Sequence, residues 1–296
     1  MNITKLHGVG VALITPFNTD LSIDFEGLKK LIHFVSENDS DYLVVQGTTG
    51  ETSTTTSEEK EQLLRFTIEN NPKKLPIVYG LGGNNTTNVL NQIKNQNFEG
   101  IDVILSVCPY YNKPSQAGIF AHFTAIANAC PVPVILYNVP GRTVVNMSPD
   151  TIIDLSAHPN IIGIKDASGS FEQIMEIAKR MPKDFLLISG DDNIVTPMIS
   201  VGAVGVISVI ANAFPKEFAA LTHSALAGNF KKAAQIQYQF LSFDTLLYQE
   251  SNPVGIKQCL AIKNICLSEV RQPLVKASDS LAVLLSKEMK AEGFID

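Results

Sequence analysis

The segment IIGIKDASG, residues 161–169, decides the fold and points to the chemistry. Ile161, Ile162 and Ile164 set β-branched apolar side chains around a glycine, which reads as a short strand. Counting by twos puts Lys165 on one face with Gly163 and Ile161, and Ile162 with Ile164 on the other. Apolar residues on both faces mark a parallel strand covered on both sides. A lysine ending such a strand is out of place unless it is used, because desolvation favours the neutral amine. A neutral amine attacks carbonyls, so Schiff-base chemistry is its natural use. The bland alternatives are that Lys165 snorkels to the surface or pairs with Asp166.

Outward from this strand, similar runs recur at 9–17, 42–47, 76–82, 102–109, 133–140, 185–192 and 205–210. Amphipathic stretches separate them. Over 25–38, Leu28, Leu31, Ile32 and Val35 share a face at helical spacing. Ser57 opens another helix with Glu58 and Glu59 in its first turn, where the dipole favours acid. Thr86, Ser148 and Ser170 stand where helix caps are needed. Strands alternating with helices argue for parallel βα units, and eight strands close a barrel. An open doubly wound sheet is the rival, but no G-x-G-x-x-G follows the first strand. After residue 226 the strand signals stop. Segments 229–247, 253–265 and 273–291 read as helices, with Pro253 and Pro273 near two of the starts. The expectation is a (β/α)8 TIM barrel over 1–226 and a C-terminal α-helical domain over 227–296.

Composition narrows the function classes. The 296 residues are 45% hydrophobic and 18% charged, enough for a large core, and the net charge is −6. No basic cluster appears, so nucleic acid is not an expected partner. The four cysteines show no C-x-x-C spacing and read as small buried hydrophobes in a reducing compartment. The five histidines are scattered without metal-ligand spacing, so no metal is expected. The N-terminal residues MNITKLHGVGVALITPF lack the pattern of a signal peptide. The longest apolar stretch, 201–214, is too short and glycine-rich to span a bilayer. A cytoplasmic protein without membrane partners is expected.

Barrel enzymes build their sites at the C-terminal ends of the strands. Tyr137 and Lys165 end neighbouring strands, so phenol and amine can meet over the mouth and the phenol can shuttle protons. Thr48 and Thr49 sit in the glycine-flanked GTTGE, where backbone amides and hydroxyls can hold an anion; an ordinary capped turn is the alternative. Arg142 follows Pro140-Gly141 in a tight loop and suits a carboxylate, although a lone arginine is more often a surface residue. Tyr110 and Tyr111 form an aromatic pair in a loop, fit for an interface or a lid. Asp191 and Asp192 look like a metal or acid pair, but helix capping is the better reading.

GTTGE, PYYNKPS, YNVPGRT, GIKDASG and GVISVIAN, in this order and spacing, resemble the dihydrodipicolinate synthase family of pyruvate-dependent class I aldolases. The likeness runs from GVGVALITPF to NPVGIK. It implies condensation of pyruvate with L-aspartate 4-semialdehyde, the first committed step of the diaminopimelate route to lysine. Lys165 would form the imine and Tyr137 would be the general acid/base. Thr49 and Tyr111 would complete a hydroxyl relay, Tyr111 reaching in from a neighbouring subunit of a homotetramer built as a dimer of dimers. Thr48 and Thr49 would hold the pyruvate carboxylate, and Arg142 the carboxylate of the aldehyde. The backbone at Gly190 and Ile207 would line the site. No cofactor would be needed, since the lysine imine is itself the electron sink. Relatives also carry an allosteric L-lysine site, which falls here on Thr52, Ser53, Ser57, Lys60, Asn84, Asn88 and Tyr110. Inhibited enzymes tend to have a histidine at the position of Lys60 and a glutamate at that of Asn88, so this site is expected to be degenerate. The neighbouring chemistries, N-acetylneuraminate lyase and the 2-keto-3-deoxy sugar-acid aldolases, share the lysine and tyrosine. An idle barrel that binds a small acid and signals would have no use for an imine-forming lysine.

Overall fold

A computed structural model describes residues 3–295. Eight parallel strands close into a barrel in chain order. They are β1 Gly8–Ala12, β2 Tyr42–Val45, β3 Ile77–Gly80, β4 Val103–Val107, β5 Val134–Asn138, β6 Ile161–Asp166, β7 Leu186–Ser189 and β8 Gly205–Ser208. The helices between and around them are α1 Phe25–Glu37, α2 Ser57–Glu69, α3 Thr86–Asn95, α4 Gln116–Ala129, α5 Pro140–Thr143 and α6 Pro149–Ser156. There follow α7 Phe171–Arg180, α8 Val195–Ser200 and α9 Pro215–Leu226, and after the last strand α10 Phe230–Tyr248, α11 Val254–Ile262 and α12 Asp279–Ala291. The fold is a (β/α)8 TIM barrel with a C-terminal helical domain.

Strand alternation separates two cores. Val44, Val78, Leu105, Ile135, Ile188 and Ile207 fill the barrel interior. Val11, Leu43, Ile104, Ile164 and Leu187 face outward and pack with the apolar faces of the helices, Leu31 and Ile32 of α1 among them. Tyr42 is fully buried inside, and β1 makes room with a glycine: a Cβ on Gly10 would lie 2.0 Å from the Tyr42 ring. The alternation counted from sequence slips once. Val134 pairs with Ile161 but Ile135 with Gly163, so Ile162 bulges. Ile161 therefore joins the outer core and Ile162 the inner one. The period resumes at Gly163, and Lys165 keeps the inner face beside Tyr137 and Ile188.

Helix starts follow local hydrogen bonding. Ser148 and Ser170 cap α6 and α7, accepting from the amides of Thr151 and Gln173. Thr56 and Glu59 form a reciprocal capping box at the head of α2. The cap of α3 is Asn85, one residue before the expected Thr86; its side-chain oxygen accepts from the Asn88 amide. Of the segment 273–291, only Asp279–Ala291 is helical. The chain before it is diverted by Arg271, which spends its amide on Glu51, forks onto Glu59 at 2.6 and 2.7 Å, and reaches the carbonyls of Leu21 and Thr54.

The C-terminal helices are glued to the barrel by aromatic packing. Phe214, just after β8, meets Phe243 edge-on at 5.0 Å, and Phe240 stacks on Phe294 at 5.0 Å. Each such ring buried is worth about 1.5–3 kcal/mol. No helix among the described residues is long and apolar enough to cross a membrane.

Candidate active site

Lys165 lies one residue before the end of β6 and is 6% exposed. Parallel register sets its Cα directly opposite that of Tyr137, and its Nζ stands 4.4 Å from the Tyr137 ring centroid. No carboxylate holds this ammonium among the described residues. Asp166 is not its partner: that carboxylate accepts from Asn138 at 3.0 Å, the Ser168 amide at 3.0 Å and Gln173 at 3.3 Å. Asp166 thus ties the end of β5 to the loop after β6 and to α7, and leaves the lysine free. Gly190 gives the lysine its space. A Cβ there would come within 3.0 Å of Lys165 Cε and 2.8 Å of Ala167 Cβ. Ile207, 1% exposed, covers the inner wall from β8.

The threonine pair divides. Thr48–Gly50 forms a 3-10 turn after β2. Thr49 is 3% exposed and its hydroxyl accepts from Asn252 Nδ2 at 3.1 Å. Thr48 is half-buried, and its hydroxyl has no partner among the described residues. No hydrogen bond joins Thr49 to Tyr137, so the expected relay through Thr49 is not formed within the chain: its hydroxyl is turned to the C-terminal helices instead.

Tyr111 has a left-handed backbone, φ 72°, and is 87% exposed. Within one chain it makes no ring contact or hydrogen bond with Tyr137 or Thr49. Tyr110 beside it is tied by its carbonyl to Asn84 at 3.1 Å. Arg142 sits in the single turn of α5, exposed, and its guanidinium has no carboxylate partner among the described residues.

Asp191 caps the turn that follows it, accepting from the Asn193 amide at 3.1 Å, as expected. Asp192 does something else. Fully buried, it accepts from the amides of Val209 and Ile210, both at 2.9 Å, and so holds the chain that leaves β8. Burial raises its pKa to about 6 against these hydrogen bonds. Asn193 donates to Asp244 of α10 at 2.6 Å, and burial, helped by the charge of Asp192, pushes Asp244 up to about 8. Sequence reasoning missed Asp244 and Asn252, and also the buried Lys257 that pairs with Glu51. Asn252 and Lys257 both fall in NPVGIK, where the likeness ends, but no local signal marks either one. The positions expected for a lysine-effector site fall on α2, α3 and the loops after β2, β3 and β4. Burial lowers the pKa of the half-buried Lys60. Among the described residues no three histidines, cysteines or acids stand close enough to hold a metal ion.

A closed barrel carrying an unpaired buried lysine beside a tyrosine at the strand ends has the makings of a Schiff-base-forming aldolase. The chain belongs to the Dihydrodipicolinate synthetase family, whose profile matches residues 5–292. It is 51% identical over 275 residues to the 4-hydroxy-tetrahydrodipicolinate synthase of Cytophaga hutchinsonii, covering 93% of each chain. It is 49% identical to that of Parabacteroides distasonis over 92% of each chain. The crystal structure of the chloride-inhibited dihydrodipicolinate synthase from Acinetobacter baumannii, complexed with pyruvate, matches with a TM-score of 0.95 at 36% identity, covering 98% of this chain and 100% of that one.

Proposed function

We propose that this chain condenses pyruvate with L-aspartate 4-semialdehyde to give 4-hydroxy-tetrahydrodipicolinate, a lyase step of lysine biosynthesis. The observation that carries the reading is Lys165, buried, unpaired and 4.4 Å from the Tyr137 ring. The Lys165 amine adds to the pyruvate ketone and water leaves, giving an iminium. Loss of a methyl proton moves its electron pair into an enamine. The enamine carbon attacks the aldehyde, which takes up a proton as its alcohol. The amine of the second substrate then displaces Lys165 by transimination and closes the ring. Tyr137 is placed for the proton transfers of imine formation. Of the two threonines, Thr48 has the free hydroxyl, so we assign the relay to it and give Thr49 the task of anchoring the turn. Tyr111, exposed in the single chain, fits completion of the relay from a second subunit, and we read the protein as a cytoplasmic homotetramer on that basis and on the resemblance. A coupled assay tests the function: product consumed by a reductase should appear with pyruvate and aspartate semialdehyde. Cleavage of N-acetylneuraminate in its place would overturn the reading.

Arg142 stands free in the rigid turn after Tyr137, where it can take the carboxylate of the second substrate. Losing a charge-assisted contact costs about 1.5–3 kcal/mol, so Arg142→Ala should lower kcat/KM for the semialdehyde about 10- to 150-fold. Borohydride trapping of pyruvate should be little changed. A variant that fails to trap pyruvate but keeps its affinity for the aldehyde contradicts this role.

Feedback inhibition by L-lysine should be weak. A structural relative from Cyanidioschyzon merolae, 36% identical with a TM-score of 0.94, is a dihydrodipicolinate synthase with lysine bound. In this chain Asn88 offers no negative charge to an effector ammonium, and Lys60 offers a cation in a half-buried place, where like charges repel. Half-inhibition at submillimolar L-lysine contradicts this. Lys60→His with Asn88→Glu should strengthen whatever inhibition exists.

A further inference from the structure

The C-terminal helices grip the Thr48–Gly50 turn from behind at two points. Asn252, just before α11, donates to Thr49. Past the turn, Glu51 takes a left-handed backbone, φ 55°, which disfavours any residue with a Cβ unless something holds it. Its carboxylate supplies the hold. One oxygen receives Lys257 Nζ at 2.5 Å and the other the Arg271 amide at 2.9 Å. Lys257 also donates to the Glu269 carbonyl at 2.7 Å and lies 4.2 Å from the Phe17 ring centroid. The Glu51 amide closes the turn on the Thr48 carbonyl at 3.1 Å, so the seating of this carboxylate sets the attitude of the threonines.

Both side chains are almost completely buried, 0% and 2% exposed. A buried pair is often no more stabilising than apolar residues of the same shape, so its presence here asks for a use beyond stability. We infer that Glu51 and Lys257 are a positioning pair for the condensation: joined between α11 and the turn after β2, they fix the turn that presents Thr48, and so make the C-terminal helices part of the catalytic apparatus. Neither residue touches substrate. Their effect passes through the backbone between Thr48 and Glu51. The inference rests on the proposed role of Thr48.

The test is a double-mutant cycle on the full chain. Glu51→Gln with Lys257→Met removes both charges and keeps the volumes, so it should fold with a melting temperature near that of the parent. Its kcat should nonetheless fall on the order of 10²-fold, the cost of misplacing a reacting group by about 1 Å. A purely structural pair would leave the kcat of the folded enzyme unchanged. In a Thr48→Val background the same pair of substitutions should lower kcat by less than about threefold, because the group they position is gone. If the neutral pair does not fold, Lys257→Arg replaces it: the charge is kept, the geometry shifts, and kcat should fall at least about fivefold in a cooperatively melting protein. Undiminished turnover in Thr48→Val overturns the reading of the site. Parent-level kcat in the folded pair variant, or losses that multiply fully with Thr48→Val, overturns the positioning role alone.

Discussion

Lys165→Ala should lose essentially all turnover, by on the order of 10⁴-fold or more, the scale on which a covalent nucleophile contributes. The reason is that no other group on the inner face can take its place. Beside it β5 offers a phenol and β7 an isoleucine. The fold should survive. Lys165 makes no ion pair among the described residues, so its truncation breaks no salt bridge. Thermal melting should therefore stay within a few degrees of the parent while kcat vanishes. Turnover above about 1% of the parent in a correctly folded variant would mean that the chemistry runs elsewhere.

The second large effect is on stability. Lys257→Met should destabilise the protein by about 3–5 kcal/mol, because it leaves the Glu51 carboxylate buried without its counter-ion. The Arg271 amide still serves one oxygen, but a neutral donor does not offset a charge. At this chain length each kcal/mol moves the melting temperature by roughly 2–4 °C, so a fall of about 10 °C is expected. Glu51→Gln added to Lys257→Met should restore most of it. Calorimetry or denaturant melts read this directly. A single variant as stable as the parent, or a double variant no better than the single, would show that the pair is not buried as described.

What the sequence made legible follows from the range of the interactions involved. Strand existence, the closed barrel and the meeting of Tyr137 with Lys165 could be read because parallel register aligns the ends of adjacent strands. The caps at Ser148 and Ser170 are local and were equally readable. The bulge at Ile162 was not, since either face of β6 is apolar and the pattern cannot mark a slipped residue. The start of α12 was misplaced to Pro273 because Arg271 binds groups on α2 and in loops more than two hundred residues away. The same distance hid Asn252 from Thr49 and Lys257 from Glu51. Nothing in the periodicity of 253–265 marks one lysine as buried. The different settings of Thr48 and Thr49, on which their proposed roles rest, also needed coordinates, since adjacent residues of one turn differ only in where the turn points them.

Lys165 should form a covalent imine with a keto acid. Incubating the protein with pyruvate and borohydride, then digesting it and weighing the peptides, tests this most directly. Reduction should add one pyruvate-derived group to the peptide carrying Lys165, with loss of activity in step with labelling. Label on any other lysine, or none at all, would contradict the account.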